Sequence, residues 1–227
     1  MAERVANILL WITYLSVLAA FGQTATPEPA PSKAEPAKAN TRATPSTPVI
    51  AEPFDRADIK TMEAKCVKLE TEMGDIEAEM YPESAPESVR NFLNLIAIGA
   101  FDTTTFSRVV PGFVIQGGSI WTRLGGVPSE LGRRARRSIP DEPNKILHER
   151  GILSMARSDE PNTATSNFFI LVSAGQHLDG TFAAFGRVTN GLEVVDEINK
   201  SPVNGEKPEK PVRIKKASIH PCTSTAN

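Results

Sequence analysis

Residues 106–118 read FSRVVPGFVIQGG, and this stretch decides the fold prediction. Two short apolar segments, Phe106–Val110 and Phe113–Gln116, are separated by Pro111 and Gly112. Proline cannot donate to a strand ladder and glycine favours turns, so the pattern predicts two β-strands joined by a tight turn. Arg108 stands five residues before Phe113, and Gln116 follows Phe113 by three residues.

The sequence on the N-terminal side predicts a hairpin followed by a helix. Apolar and polar residues alternate over Cys66–Met73 and again over residues 76–80, with Gly-Asp between them. Ser84-Ala85-Pro86-Glu87 then matches a capping box with proline in the first turn, and apolar residues recur at helical spacing as far as Gly99.

The sequence on the C-terminal side predicts more strands and a second helix. A related capping pattern at Asn190-Gly191-Leu192-Glu193 begins that helix. The further apolar segments are Ile152–Ala156, Phe168–Val172, Ala184–Val188 and Val212–Ile219. Eight short strands and two helices without a repeat predict an all-β or α+β domain of about 160 residues, built as a barrel or sandwich.

The N-terminal part of the chain is predicted to lie outside this domain. Ile8–Phe21 is an uncharged run of 14 residues, shorter than the roughly 20 that span a bilayer. We therefore predict a signal peptide over residues 1–22, cleaved after Gly22, with an uncleaved membrane anchor as the alternative. Seven of the 18 prolines precede Phe54, which indicates a disordered Pro/Ala/Thr-rich linker over residues 23–53. A transition segment (54–65), the folded domain (66–222) and a short tail (223–227) complete the chain.

Charge and motifs exclude several function classes. The chain of 227 residues has 25 Lys+Arg against 27 Asp+Glu, so it lacks the positive field that gathers nucleic acid. The three histidines show no metal-ligand spacing, and no G-x-S-x-G, G-x-G-x-x-G or Walker A motif occurs. The basic cluster Arg133–Arg137 is predicted to be a solvated loop face, with an acidic partner as the alternative.

The longest motifs resemble the cyclophilin family of peptidyl-prolyl isomerases. Residues 106–118 are similar to its central motif, and the likeness continues through GILSMARSDEPNTATSNFFI (151–170), HLDGTFAAFGRV (177–188) and TEMGDIEAEMYPESAPESVRNFLNL (71–95). This resemblance implies a mainly β fold, a closed eight-stranded antiparallel β-barrel capped by two α-helices. It also implies a monomer that needs neither cofactor nor metal.

The resemblance assigns roles to individual residues. It makes Arg108 and Gln116 catalytic, and it implies that the main chain of Arg157, just after Ala156, holds the substrate. The substrate-binding positions it implies are Phe113, Val114, Ala156, Arg157, Asn167, Phe169, His177, Leu178 and Phe182. For Phe182, a place in the barrel interior is the alternative.

Three positions depart from the family pattern. Ser107 replaces a common histidine and Asn167 a common glutamine, and we expect neither change to abolish isomerisation. His177 replaces the tryptophan whose indole donates a hydrogen bond to cyclosporin in sensitive members. We therefore expect weak cyclosporin binding, and inhibition in the nanomolar range would contradict this expectation.

The two cysteines, Cys66 and Cys222, lie near the two ends of the predicted domain. Two cysteines alone allow either a bridge or two free thiols. In the family fold the first and last strands are antiparallel neighbours, so the resemblance implies that Cys66 and Cys222 can lie close enough for a disulfide. The disulfide and the two free thiols both stay open as alternatives.

The resulting functional hypothesis is an exported, bacterial-type peptidyl-prolyl cis-trans isomerase, periplasmic or extracellular, whose partners are proline-containing polypeptide clients. Nucleic acid is not an expected partner, and a membrane is one only if the N-terminal segment is retained. The alternatives are a non-catalytic proline-peptide-binding module or chaperone on a flexible stalk, and a structural surface protein that works through Arg133–Arg137.

Overall fold

The structure is a computed structural model that describes residues 52–222. The predicted signal peptide or anchor, the predicted linker up to residue 51 and the predicted tail after residue 222 lie outside the described residues. Within residues 52–222, no helix is long and apolar enough to cross a membrane.

The described residues form one large antiparallel sheet and a small separate hairpin. The strands are β1 (Lys65–Thr71), β2 (Gly74–Met80), β3 (Arg108–Val110), β4 (Val114–Gly117), β5 (Ile152–Met155), β6 (Phe168–Leu171), β7 (Ala184–Asn190), β8 (Val203–Asn204), β9 (Lys207–Pro208) and β10 (Ile214–Pro221). Eight of them make the sheet in the order β10-β1-β2-β7-β5-β6-β4-β3, and β8 pairs with β9. The mainly β, eight-stranded antiparallel prediction is confirmed.

The sheet curls until its two edge strands approach each other. A single antiparallel bridge joins Thr105 to Arg213, next to β3 and β10. On either side of it, Phe106 N donates to Val212 O (2.9 Å) and Ile214 N donates to Thr104 O (2.8 Å). No ladder joins β3 directly to β10. The term "closed" therefore overstates the geometry, and the fold is a curled sheet whose edges meet through a short contact.

Alternation along the strands gives the sheet two apolar faces. One face contributes Val109, Ile115, Phe168 and Ile170 to the main core. The other face contributes Val114, Phe169 and Leu171 to a smaller cluster that also contains Leu178. The candidate site lies over this second cluster.

Within residues 52–222, four α-helices accompany the sheet. They are α1 (Ile59–Glu63), α2 (Pro86–Ala97), α3 (Ser129–Arg134) and α4 (Leu192–Asn199). The two predicted helices correspond to α2 and α4, whereas α1 and α3 are short additions. Helix α2 ends as predicted, since Gly99 adopts φ 67° and Ala100 N donates to Leu95 O (2.8 Å).

The predicted capping box at the start of α2 is wrong. The N-cap residue is Ala85, which makes no side-chain hydrogen bond. The Glu142 carboxylate takes that place, accepting from Glu87 N (2.9 Å), Ser88 N (2.8 Å) and Ser88 Oγ (2.7 Å). At α4, the N-cap is Gly191 with φ 86°, again without a side-chain cap. Both helix starts therefore rely on groups other than a capping box.

The predicted solvated face at Arg133–Arg137 is wrong for Arg134. Its side chain is only 6% exposed, and its Nε donates to Glu52 Oε1 (2.6 Å). Its Nη1 donates to Asn91 Oδ1 on α2 (2.9 Å). Arg133 and Arg137 are exposed, as predicted. A buried arginine needs such charged and polar partners, so Arg134 attaches the segment at Glu52 to the domain.

The two cysteines meet across the first and last strands of the sheet. β1 and β10 are antiparallel neighbours, with Cys66 opposite His220. Cys66 and Cys222 are joined as a disulfide with their Cα atoms 4.8 Å apart.

Candidate functional site

An open cavity of about 220 Å³ lies on the outer face of the sheet. It is apolar at its base and has an arginine and a glutamine at its border. The residues that line it are Arg108, Phe113, Val114, Gln116, Ala156, Arg157, Phe169, Leu178 and Phe182. All of them were singled out from the sequence, and the fold brings them together from four separate parts of the chain.

Strand register sets the polar edge of the cavity. Arg108 on β3 is directly opposite Gln116 on β4, and Gln116 is directly opposite Phe169 on β6. Directly opposed residues of antiparallel strands project to the same face, so these three side chains form one row across the sheet. The row places a charged group, an amide and an aromatic ring side by side.

The Arg108 guanidinium is held at two of its edges. Its Nη1 donates to Gln116 Oε1 (3.2 Å). Its Nε and Nη2 donate to the two carboxylate oxygens of Glu206, at 2.6 and 3.0 Å. This charge-assisted contact lowers the pKa of the Glu206 carboxyl below its ordinary value. Glu206 is therefore ionised at neutral pH, and the Arg108 side chain remains 41% exposed.

A tight turn between β3 and β4 sets the position of Phe113. Gly112 has φ 73°, and Phe113 N donates to Val110 O (3.0 Å), as expected for a Pro-Gly type II turn. The buried Asn199 side chain fastens this turn, because its Nδ2 donates to Val110 O (2.9 Å) and its Oδ1 accepts from Gly112 N (2.8 Å).

An apolar part of the cavity wall comes from the segment around Leu178. Phe182 N donates to Leu178 O (3.1 Å), which links the two wall residues. The Phe182 ring packs edge-on to Phe169 with centroids 6.1 Å apart. Phe182 therefore faces the cavity, and the alternative of a place in the barrel interior is not what the structure shows.

Arg157 supplies a free stretch of main chain at the cavity edge. Ala156 N donates to Asn167 O (3.0 Å), but within residues 52–222 nothing is hydrogen-bonded to the main-chain N–H or carbonyl of Arg157. The Arg157 guanidinium lies over the Phe182 ring, 4.8 Å from its centroid. The unpaired amide and carbonyl can pair with an extended peptide.

Two of the predicted residues lie beside the cavity. Asn167 borders an adjoining open cavity of about 160 Å³, which shares Gln116, Ala156 and Arg157 with the first. His177 is exposed, and its ring stacks on Phe113 with centroids 5.3 Å apart. The structure thus places His177 behind one wall residue and Asn167 next to the polar edge.

Sequence reasoning missed the residues that hold the site in place. Asn199 fastens the Phe113 turn, and Glu206 pairs with Arg108. The Asn-Gly pair at Asn204-Gly205, a hairpin-turn signal, could have indicated the β8–β9 hairpin that carries Glu206. Nothing in the sequence indicated that this hairpin reaches Arg108.

Comparison with known proteins points to one family. Residues 66–219 match the family model described as cyclophilin type peptidyl-prolyl cis-trans isomerase/CLD. A peptidyl-prolyl cis-trans isomerase of Arabidopsis thaliana is 39% identical over 156 residues, covering 68% of this chain and 95% of that protein. One from Acinetobacter baylyi is 35% identical over 158 residues, covering 65% and 81% of the two chains.

Solved structures show the same fold. A cyclophilin type peptidyl-prolyl cis-trans isomerase of Cryptosporidium parvum, crystallised in the presence of the dipeptide Ala-Pro, superposes with a TM-score of 0.60 at 32% identity. The match covers 68% of this chain and 98% of that one. A cyclophilin from Hirschia baltica has a TM-score of 0.59 at 24% identity over 69% of this chain and 74% of its own, and at that identity it supports the fold alone.

Proposed function

Because the chain belongs to the cyclophilin-type peptidyl-prolyl cis-trans isomerases, we propose that Arg108 and Gln116 carry its catalysis and that its clients are exported proteins. The class of reaction is rotation about an Xaa-Pro peptide bond. The site assignment is supported most directly by the row of Arg108, Gln116 and Phe169 beside an apolar cavity.

The reaction needs positioned charge and no covalent step. Resonance holds the peptide bond planar against a barrier of about 18–20 kcal/mol. At the top of that barrier the prolyl nitrogen is pyramidal and its lone pair is localised. A guanidinium that donates to this nitrogen stabilises the twisted state more than the planar one, which lowers the barrier.

The apolar cavity is suited to the pyrrolidine ring of the substrate. Phe113, Phe169 and Leu178 are among the residues that line it, and its lining is mostly apolar. The Cryptosporidium parvum relative was crystallised with Ala-Pro, a ligand that contains such a ring. In our proposal the ring stays fixed in the cavity while the chain on its N-terminal side rotates.

The free main chain of Arg157 would hold the substrate on the other side of the bond. A peptide that pairs with this amide and carbonyl would run along the cavity edge, past Gln116. The Xaa-Pro bond of this peptide would then rotate next to the Arg108 guanidinium. Gln116 accepts from Arg108 through Oε1 (3.2 Å), so its amide nitrogen can donate to a substrate carbonyl.

The test is the cis-to-trans relaxation rate of a short Xaa-Pro peptide with the purified chain and its variants. Removing a pre-organised donor from a transition state typically costs about a hundredfold or more, so we expect Arg108→Ala to lower kcat/KM by that order. Arg108→Lys should also be strongly impaired, because an ammonium cannot bind Gln116 and Glu206 as a fork. Arg133→Ala, at an exposed arginine distant in sequence, is the matched control and should be unchanged.

Two outcomes would count against the proposal. If Arg108→Ala retained the wild-type rate, Arg108 would not be catalytic. If the wild-type chain did not accelerate relaxation but still bound a proline-containing peptide, the alternative of a non-catalytic binding module would replace the assignment.

We further propose that the enzyme is an exported, bacterial-type member that acts in the periplasm or outside the cell. The apolar segment Ile8–Phe21 supports export, and the Cys66–Cys222 disulfide is of a kind that persists in oxidising compartments. Cell fractionation with N-terminal sequencing of the mature protein tests this proposal. A cytosolic protein with an intact N-terminus would contradict it.

A further inference from the structure

The Arg108 guanidinium is bound by a carboxylate from a distant part of the chain. Glu206 lies 98 residues after Arg108, and its two oxygens accept from Arg108 Nε (2.6 Å) and Nη2 (3.0 Å). Such bidentate contacts fix the plane of the guanidinium as well as its position. None of the sequence motifs that identify the site includes Glu206.

The contacts with Glu206 and Gln116 leave two N–H groups of the Arg108 guanidinium free. A guanidinium has five N–H groups. Glu206 engages the Nε–H and one N–H of Nη2, and Gln116 engages one N–H of Nη1. One N–H on each terminal nitrogen stays available for a further acceptor. We call these two N–H groups the free end of the Arg108 guanidinium.

The backbone holds Glu206 at this place. Glu206 is the second central residue of the turn between β8 and β9, after Gly205 with φ 64°. Positive φ at the first central residue only is what a type II′ turn requires. The carbonyl of Glu206 accepts from Val109 N (2.8 Å), so the turn is fastened to β3 beside Arg108.

We propose that Glu206 is a positioning residue for the isomerase reaction, holding the Arg108 guanidinium so that its free end is directed at the prolyl bond. This inference rests on the catalytic role proposed for Arg108. Without the carboxylate, the exposed Arg108 side chain would rotate among several rotamers and spend only part of its time in the productive one. The expected cost is a lower kcat with an unchanged KM, because the pyrrolidine cavity itself stays intact.

If Glu206 had a purely structural role, Glu206→Gln would lower the urea midpoint of unfolding. Its side chain is 54% exposed, and exposed ion pairs contribute little to the free energy of unfolding. The variant Glu206→Gln should therefore fold with an unchanged urea midpoint. A loss of rate at an unchanged urea midpoint would then be a local effect of Glu206 on Arg108.

The experiment compares Glu206→Gln with Glu209→Gln, a matched loss of charge at an exposed position on the same segment. We expect Glu206→Gln to lower kcat about 5- to 20-fold with KM unchanged, and Glu209→Gln to have no effect. In the Arg108→Ala background, Glu206→Gln should change the residual rate no further. The Nε–H resonance of Arg108 should be sharp and shifted in the wild type and should lose that shift in Glu206→Gln.

The outcomes separate this inference from the proposed function. An inactive wild type, or a fully active Arg108→Ala variant, would overturn the proposed function. A strongly impaired Arg108→Ala together with a fully active Glu206→Gln would overturn only the role of Glu206. A Glu206→Gln variant faster than the wild type would also overturn it, because the carboxylate would then restrain Arg108.

Discussion

His148 is a buried histidine that supports the wall of the substrate cavity. Its side chain is fully enclosed, with Nδ1 3.1 Å from Asp179 Oδ1 and Nε2 3.1 Å from Ser154 Oγ. Its main-chain N donates to the same Asp179 oxygen (2.7 Å). Since Asp179 directly follows Leu178, this network sets where Leu178 meets the cavity. Ser154 Oγ donates to Ala183 O (2.9 Å) and is buried, so the trio is a structural network.

This network predicts a pH-dependent stability. Burial lowers the pKa of His148 below its ordinary 6.5, although Asp179 opposes the shift. Between the folded and unfolded pKa values the unfolded chain binds more protons, so the free energy of unfolding rises with pH. We expect the urea midpoint to fall as the pH drops from about 7.5 through 6.5 and below.

The variant His148→Gln tests the origin of that dependence. It should be less stable at pH values of about 7.5 and should lose most of the decline between about 7.5 and 5.5, because its amide does not titrate. His177→Gln, at an exposed histidine whose charge has only a small effect on the pKa of His148, should keep most of the wild-type decline. An unchanged decline in His148→Gln would show that another group causes it.

At the scale of elements, helix α2 is begun by a side chain from outside the helix. The Glu142 carboxylate accepts three hydrogen bonds from its first turn, at the end where the helix dipole favours negative charge. We expect Glu142→Ala to lower the free energy of unfolding by about 1–2 kcal/mol, the typical cost of a lost cap. Chemical denaturation measures this directly.

The control for this prediction is Glu83→Ala. Glu83 is exposed and lies three residues before α2. Its substitution removes the same charge without removing a contact to the first turn of the helix. It should alter stability by less than about 0.5 kcal/mol. Equal effects of the two substitutions would show that the contact with Glu142 does not stabilise α2.

These elements also show how far the sequence can predict the structure. Alternation and turn residues depend on neighbours in the chain, and they predicted all eight sheet strands and both longer helices within a few residues. Contacts between distant segments leave no such trace. Glu142 is 54 residues from Ser88, Glu52 is 82 from Arg134, and Glu206 is 98 from Arg108. The charge of Arg134 predicted a solvated loop. The prediction failed because the groups that bury Arg134 belong to α2 and to the segment at Glu52, far away in the sequence.

The site was more predictable than its supports. Arg108, Phe113 and Gln116 lie in one short stretch, and the family resemblance covers that stretch. Asn199 and Glu206 act on it from the C-terminal part of the chain, and they are placed by tertiary packing. Sequence reasoning therefore reached the residues that would touch a substrate and missed the residues that orient them.

At the scale of the whole molecule, one covalent link closes the domain. Cys66 and Cys222 are separated by 156 residues, and the chain-entropy model assigns a crosslink of that span about 5 kcal/mol of stabilisation. We expect Cys66→Ser/Cys222→Ser to lower the free energy of unfolding by about 2–5 kcal/mol, as removal of native disulfides usually does. Chemical denaturation of the two proteins without reductant measures the difference.

A reductant provides the control for this measurement. It should destabilise the wild type to the level of the double variant and leave the double variant unchanged. Quantitative labelling of two free thiols in unreduced wild-type protein would contradict the crosslink itself.

The same crosslink decides how the domain carries tension. A force applied between residues 52 and 222 would follow the covalent chain through α1 to Cys66 and cross directly to Cys222, so the strands that build the substrate cavity would lie outside this covalent path. The enclosed segment corresponds to roughly 500–560 Å of extended chain at about 3.3–3.6 Å per residue, and none of it could be drawn out while the sulfurs stay bonded. Tension between those two residues would therefore leave the catalytic geometry mechanically shielded.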